Sequence, residues 1–277
     1  EILAATRERV PNLPEFDMSE MAGLNTLGEI VDYIGGRTSL PSTKQVATPD
    51  TTATALAPDD LQIESPDAVR RYAVETMSRS APGLAPPHLL DGTLVYVTDD
   101  GGGIAPALVS ALAQAGANAL VTSHVPADAR SVVCLAGLRR IRNADEAWAA
   151  NEEAFLVAST IASGLETEGG LFVTVQNTGG DFGYDSETGW RAWAGGLTGL
   201  AKTAAQEWPE AIVRSIDISD VVGRSSDNEK IESLSAEEIA DRLATELLTG
   251  GMDLEIGLTN DGRRVGLVTM ERSGTDP

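Results

Sequence analysis

From Asp99 to Gly103 the chain reads Asp-Asp-Gly-Gly-Gly, directly after a run of β-branched and aromatic residues that includes Val95, Tyr96 and Val97. Ile104, Leu108 and Leu112 follow at a spacing of four, one face of a helix. Strand, glycine turn and helix in that order form the opening unit of a dinucleotide-binding α/β domain. The chemistry of such a turn is phosphate binding. Backbone N–H groups at the helix N-terminus hold the anion, and a glycine lets the backbone approach it without a Cβ. A G-x-x-x-G-x-G or G-x-G-x-x-G turn places glycine early, whereas here Asp99 and Asp100 hold the early positions and Ala105 the late one. A carboxylate ~4 Å from a pyrophosphate oxygen costs about 4 kcal/mol per charge pair at an effective dielectric of roughly 20. The loop Asp99, Asp100, Gly101, Gly102, Gly103 is therefore expected to be degenerate, with no working cofactor-binding residue.

Carbonyl reduction by a tyrosine acid needs a lysine four residues on, whose charge lowers the phenol pKa. Tyr33, Tyr72, Tyr96 and Tyr184 are followed at that spacing by Arg37, Thr76, Asp100 and Thr188. The pair is missing, and no catalytic residue is expected. Trp193 and Leu197 stand where the helix carrying that pair would begin. Trp190 and Trp193 read as packing residues, with stacking on a substrate as the alternative. His88 flanks a proline turn and His124 follows a strand, so their spacing makes no metal cluster and no metal is expected. Cys134, inside the apolar run Ser131–Leu138, reads as a buried thiol rather than a nucleophile. There is no G-x-S-x-G elbow. The stretch GLTGLAKT (196–203) keeps two residues between Gly199 and Lys202 where a phosphate loop needs none, so it reads as helix. Asp227, Glu229 and Glu232 read as a solvated face.

The elements that would position these residues alternate from Gly92 onward, the pattern of a parallel sheet covered by helices. Strands are expected at 119–122, 131–138, 170–176 and 212–218. Helices are expected at 144–165 and at 190–208, the latter with Trp193, Leu197 and Leu200 on its inner side. Ser235 and Glu238 cap a further helix whose Ile239, Leu243 and Leu247 face inward. Asn260-Asp261-Gly262 marks a hairpin between two closing strands. Residues 67–80 are ambiguous: Pro66 suits a helix start, while Tyr72, Val74 and Thr76 alternate as in a strand. Upstream, residues 1–36 are helix-prone, with Asp17/Glu20 and Thr26/Glu29 as capping boxes, but too few to bury a core alone. Residues 37–66, rich in Thr, Ser, Pro and Ala, read as a linker.

A net charge of −22 argues against nucleic acid and against anionic membrane surfaces, both of which need clustered Lys and Arg. One cysteine excludes an intrachain disulfide and suits a reducing, cytoplasmic setting. No apolar run approaches the ~20 residues of a membrane helix. Glu1 has no Met before it and opens in what reads as mid-helix, so the chain is expected to be a piece of a longer polypeptide.

Two parts of the sequence resemble known families. EILAATRERVPNLPEFDMSEMAGLNTLGEIVDYI (1–34) resembles the back half of an acyl carrier protein, closest to the tandem carriers of bacterial polyunsaturated fatty-acid synthases and related type I polyketide synthases. The resemblance places the phosphopantetheine serine upstream of Glu1, so no residue present inherits its role. Four blocks, LVYVTDDGGGIAPALVSALAQAGA, SVVCLAGL, LFVTVQNTGGDFG and GGLTGLAKTAAQEWPEAIVRSIDIS, resemble the structural subdomain of the ketoreductase of the same synthases. DLEIGLTNDGRRVGLV fits that family's terminal strand. The resemblance implies an α/β fold: a Rossmann-like parallel sheet flanked by helices, after a helical carrier remnant. The domains it implies are 1–36 carrier remnant, 37–66 linker and 67–277 ketoreductase structural subdomain. It favours strand for 69–77. It also implies a scaffolding role beside an NADPH-dependent catalytic subdomain that reduces β-ketoacyl-carrier thioesters, with that subdomain and acyl carrier domains as partners. The alternatives are an active NADP-dependent oxidoreductase with an atypical site, drawing its acid from Tyr184, or a module that docks carrier domains.

Overall fold

A computed structural model describes residues 71–184, 189–222 and 232–272, all within the compact unit Pro66–Pro277. The expected carrier remnant (1–36) and linker (37–66), with their capping boxes, lie outside the described residues, as do Asp227, Glu229 and the side chain of Glu232.

The chain order is β1 (Arg71–Ser78), β2 (Leu94–Thr98), α1 (Ile104–Gln114), β3 (Asn118–Thr122), β4 (Ser131–Gly137), α2 (Ala144–Glu168) and β5 (Gly170–Gln176). A 3-10 turn (Gly189–Gly195) leads into α3 (Gly196–Glu207), followed by β6 (Ala211–Ile218), β7 (Val221–Val222) and β8 (Glu232–Ser233). Helix α4 (Ala236–Thr249) and the hairpin of β9 (Glu255–Leu258) and β10 (Arg264–Arg272) close the unit. Eight strands form one sheet in the order β1-β10-β9-β6-β5-β4-β2-β3, and β7 pairs with β8 separately. From β3 to β9 every pairing is parallel; β10 and β1 are antiparallel. The residues near 71–78 are thus a strand, as the alternation of Tyr72, Val74 and Thr76 allowed.

β4 and β5 are buried along their whole length, as continuous apolar runs in a two-sided sheet require. Their alternate residues feed different layers. Val133 and Leu135 pack with α1 and α4 around Leu108, Leu112, Leu243 and Leu247. Val132, Cys134 and Ala136 pack with α2 and α3 around Ile161, Leu165, Leu197 and Ala201. Phe172 and Trp208 meet edge to face at 5.8 Å in that second layer. Burial pushes the Cys134 thiol pKa up to about 11, so the thiol stays protonated and unreactive.

Caps set the helix starts. Asn143 accepts from the Glu146 amide at the head of α2, and Ser235 with Glu238 forms a reciprocal capping box on α4. One expected element needs correction. Residues 190–208 are not one α-helix: the first stretch is 3-10, and α3 begins only at Gly196. With about three residues per turn, the 3-10 stretch takes Trp193 out of phase with Leu197. Trp190 and Trp193 are consequently 48% and 55% exposed, not packed inside.

The sheet departs from a regular doubly wound one in two places. The crossover from β3 to β4, residues 123–130, contains no helix. At the other edge, β10 pairs with β1 from Val265 to Arg272 but with β9 only through Arg264 and Val265.

Candidate functional site

In an open α/β sheet, ligands settle beyond the carboxyl ends of the strands where the strand order reverses. Here β2 is flanked by β3 and β4, so that point lies beyond Thr98 and Gly137. The Thr98 hydroxyl accepts the Leu135 amide at 2.9 Å, extending the ladder between β2 and β4 by one side-chain bond. The glycine loop follows directly.

The loop turns through Gly101 (φ 74°) and Gly103 (φ 94°), both left-handed, and then enters α1. The Asp100 carboxylate is folded back into this turn. One oxygen accepts the Gly102 amide at 2.6 Å and the other the Ala105 amide at 2.7 Å. These bonds draw on backbone donors at the head of α1, the groups that a phosphate would use. Asp100 is only 5% exposed. The chain's own anion sits where a ligand's anion would sit. A Cβ on Gly102 would lie 2.7 Å from the Asp100 carboxylate, so the turn is closed around it. Asp99 stays exposed and accepts the Gly101 amide at 2.9 Å.

Beside the loop lies a cleft of about 340 Å³, lined by Thr98, Asp99, Thr122, Ser123, Arg139 and Glu153 among others. Arg139 donates to the Asp99 carbonyl at 3.1 Å and to Glu153 at 2.8 Å, tying the β2 and β4 loops to α2. Both bonds come from one terminal nitrogen of its guanidinium.

Beyond β5 and β6 the side chains form a closed polar network. Thr198 of α3 donates to Gln176 at 2.9 Å and meets the Ser215 hydroxyl at 2.9 Å. Gln176 donates to Thr178 at 3.1 Å. The Asp217 carboxylate accepts the Thr178 amide at 2.6 Å and the Phe182 amide at 2.7 Å, pinning the loop after β5. Burial pushes the Asp217 pKa above the usual carboxylate value, against the pull of those two N–H donors. Phe182 is left-handed (φ 60°) within that pinned loop. The hydroxyls of Thr178, Thr198 and Ser215 all bond inside the chain.

The structure thus brings the five loop residues 99–103 to the head of α1, but with Asp100 as occupant rather than obstacle. Tyr184, half exposed, ends the described part of the loop after β5. Trp190 and Trp193 stand beyond it with ring centroids 6.0 Å apart. His88 lies apart from this edge, 3.3 Å from Asp91. Among the described residues, no group of three or more His, Cys, Asp or Glu could hold a metal. No described helix is long and apolar enough to cross a membrane. Reading the sequence alone missed Arg139 and Asp217. The signal for Asp217 is a carboxylate between two isoleucines in a strand whose last six residues are buried, where a charge survives only with dedicated partners.

Asp100→Ala is expected to cost about 1–2 kcal/mol, the loss of a helix-capping carboxylate. Urea denaturation followed by circular dichroism measures it; an unchanged midpoint would contradict the capping role.

No family model and no curated protein matches the chain. Solved structures do. A multidomain structure with adenylation, ketoreductase and pseudo-Asub parts, from a keto acid-selecting NRPS module, superposes with a TM-score of 0.52 at 13% identity. It covers 72% of this chain, which spans only 18% of that one. The first ketoreductase of the tylosin polyketide synthase gives 0.47 at 13% identity, over 74% of this chain and 42% of that one. A short-chain dehydrogenase from Burkholderia cenocepacia, solved in complex with NADP, gives 0.44 at 15% identity over 60% and 89%. At such identities the likeness is one of fold alone: a Rossmann-like, mostly parallel sheet flanked by helices.

Proposed function

We propose that this chain is the non-catalytic structural part of a β-ketoacyl reductase in a type I polyketide or polyunsaturated fatty-acid synthase. In this reading it braces an NADPH-dependent catalytic subdomain, and the phosphopantetheine-bearing carriers of the same synthase deliver the β-ketoacyl thioester. The observation that carries the reading is the Asp100 carboxylate, which takes the helix-head amides a dinucleotide phosphate would need. The missing Tyr-x-x-x-Lys pair supports it from the sequence. So do Trp148, Trp190 and Trp193, large apolar side chains left exposed on α2 and the 3-10 turn, which suit contact with a second folded body.

The residues at the loop do not fit a bound NADP(H), since Asp100 already takes the amides its phosphates would use. Titration calorimetry of the chain with NADPH is expected to give no binding heat up to millimolar concentration. Micromolar affinity would overturn the scaffold reading. Turnover of a simple β-ketoacyl thioester, abolished by Tyr184→Phe, would establish an active oxidoreductase instead.

A further inference from the structure

Between the second half of α4 and the β9–β10 hairpin lies a cleft of about 450 Å³, a volume in the range of small-molecule sites. Arg242, Thr245, Glu246 and Thr249 line it from α4, at a spacing that puts them on one helix face. Leu258, Thr259 and Arg264 line it from the hairpin, and Ala81 from the segment after β1. Most of its polar groups are already spent. Arg264 donates to Glu246, to Asp253 and to the carbonyls of Ser80 and Gly250. Glu246 also holds Arg214. The Thr245 and Thr249 hydroxyls donate one turn back, to the carbonyls of Asp241 and Thr245 at 2.8 and 2.7 Å. The Thr259 hydroxyl bonds to Asp261 and to the Arg263 carbonyl.

Arg242 is the exception. Its Nη1 is buried and has no hydrogen-bond partner, and a buried donor left unpaired is costly. The two carboxylates nearest in sequence do not serve it. Glu238, one turn back, accepts the Ser235 amide at 2.8 Å in the capping box, and the Arg242 charge acts on it without a hydrogen bond. Asp241 is exposed and directly precedes Arg242, and such neighbours do not face each other on a helix.

We infer that this cleft binds a small monocarboxylate with an apolar body, its carboxylate taken by Arg242. A carboxylate supplies the acceptor that Arg242 lacks, through a charge-assisted hydrogen bond. Ala81 and Leu258 give the body apolar contact. Asp241, on the same lining, sets the charge of the ligand. It repels the second negative charge of a phosphate ester, whereas a single charge is held by the closer guanidinium.

The probe is 2-naphthoate, with 2-naphthalenemethanol as its neutral counterpart and 2-naphthyl phosphate as its dianionic one. Titration of the nitrogen-15-labelled 277-residue chain, followed by NMR, is expected to give a Kd for naphthoate on the order of hundreds of micromolar. The shifted amides should belong to α4 and the β9–β10 hairpin. The alcohol and the phosphate should bind about tenfold more weakly or worse. Arg242→Met removes no hydrogen bond recorded within the chain, so the variant should fold with an unlowered melting midpoint and lose naphthoate about tenfold or more. Asp241→Asn, which removes the exposed carboxylate, should tighten naphthoate about twofold. Shifts confined to another part of the chain, or equal binding of the alcohol, overturn the inference. So does naphthoate binding that survives Arg242→Met, and so does tighter binding of the phosphate than of naphthoate.

Discussion

Glu246→Ala is expected to destabilise the domain by about 3–5 kcal/mol, the cost of stranding a buried charge. Arg214 of β6 is 0% exposed, and its guanidinium is bonded to the Glu246 carboxylate. The other carboxylate oxygen receives Arg264 of β10 at 2.8 Å, and Arg264 also reaches Asp253 at 3.1 Å. Glu246 therefore joins α4 to two strands of the sheet. Without it, Arg214 keeps only the carbonyls of Asp253 and Glu246 itself. Burial already pulls the Arg214 pKa down, and the carboxylate is what opposes this. At about 2–4 °C per kcal/mol for a domain of this size, the melting midpoint should fall by about 6–20 °C. Replacing the pair together, Arg214→Met with Glu246→Leu, should recover most of the loss, since neither charge is then buried alone. Thermal denaturation of the two variants decides the point. A double variant as unstable as the single one would locate the cost in packing instead.

Asp217→Ala should cost about 2–5 kcal/mol, because it leaves two backbone N–H groups, Thr178 and Phe182, without their acceptor. The loss should be local as well as global, with the loop after β5 losing its anchor and Thr178 loosening from Gln176. The same carboxylate gives a signed pH dependence. Its folded pKa is raised above the ordinary value of 3.8 by burial. A group with a raised folded pKa contributes most when protonated in both states, below about 3.8. That contribution is lost as pH climbs through the raised folded value. Glu146 and Glu238 run the other way. Bonds from Arg142 and from the Ser235 amide respectively hold their pKa below 4.5, so their contribution is lost as pH falls through their folded values. Carboxyl NMR titration should place the Asp217 midpoint above that of an unfolded aspartate. A midpoint at or below 3.8 would show that its two N–H donors outweigh its burial.

How much of this was legible in the sequence depends on the range of the interaction. The apolar runs that became β4 and β5, the Ser235/Glu238 box and the Ile104–Leu108–Leu112 face were legible because each is a local pattern with a fixed period. Trp193 was not. Residues 189–195 wind as 3-10, and the contact that holds the Trp193 carbonyl is long-range: Asn151 donates to it at 3.0 Å from 42 residues away. The aspartates of the glycine loop were half legible. Their charge announced a conflict with phosphate, but which way Asp100 points depends on two short amide bonds that no residue spacing encodes. Arg214 and Glu246, 32 residues apart, gave no sequence sign of being a pair.

The ribbon of β1 and β10 bears on how the chain folds. Its outermost pair, Arg71 with Arg272, closes a loop of about 200 residues, at an entropic cost near 5 kcal/mol. The β9–β10 hairpin and the β2–α1–β3 unit close loops far shorter than that. Contacts of such long sequence separation form late, after the ordering of the six parallel strands has brought the two ends together. Until that moment β10 has only Arg264 and Val265 paired, and β1 has no partner in the sheet at all. The outermost strand is thus expected to join last, leaving both of these strands as bare edges until it does.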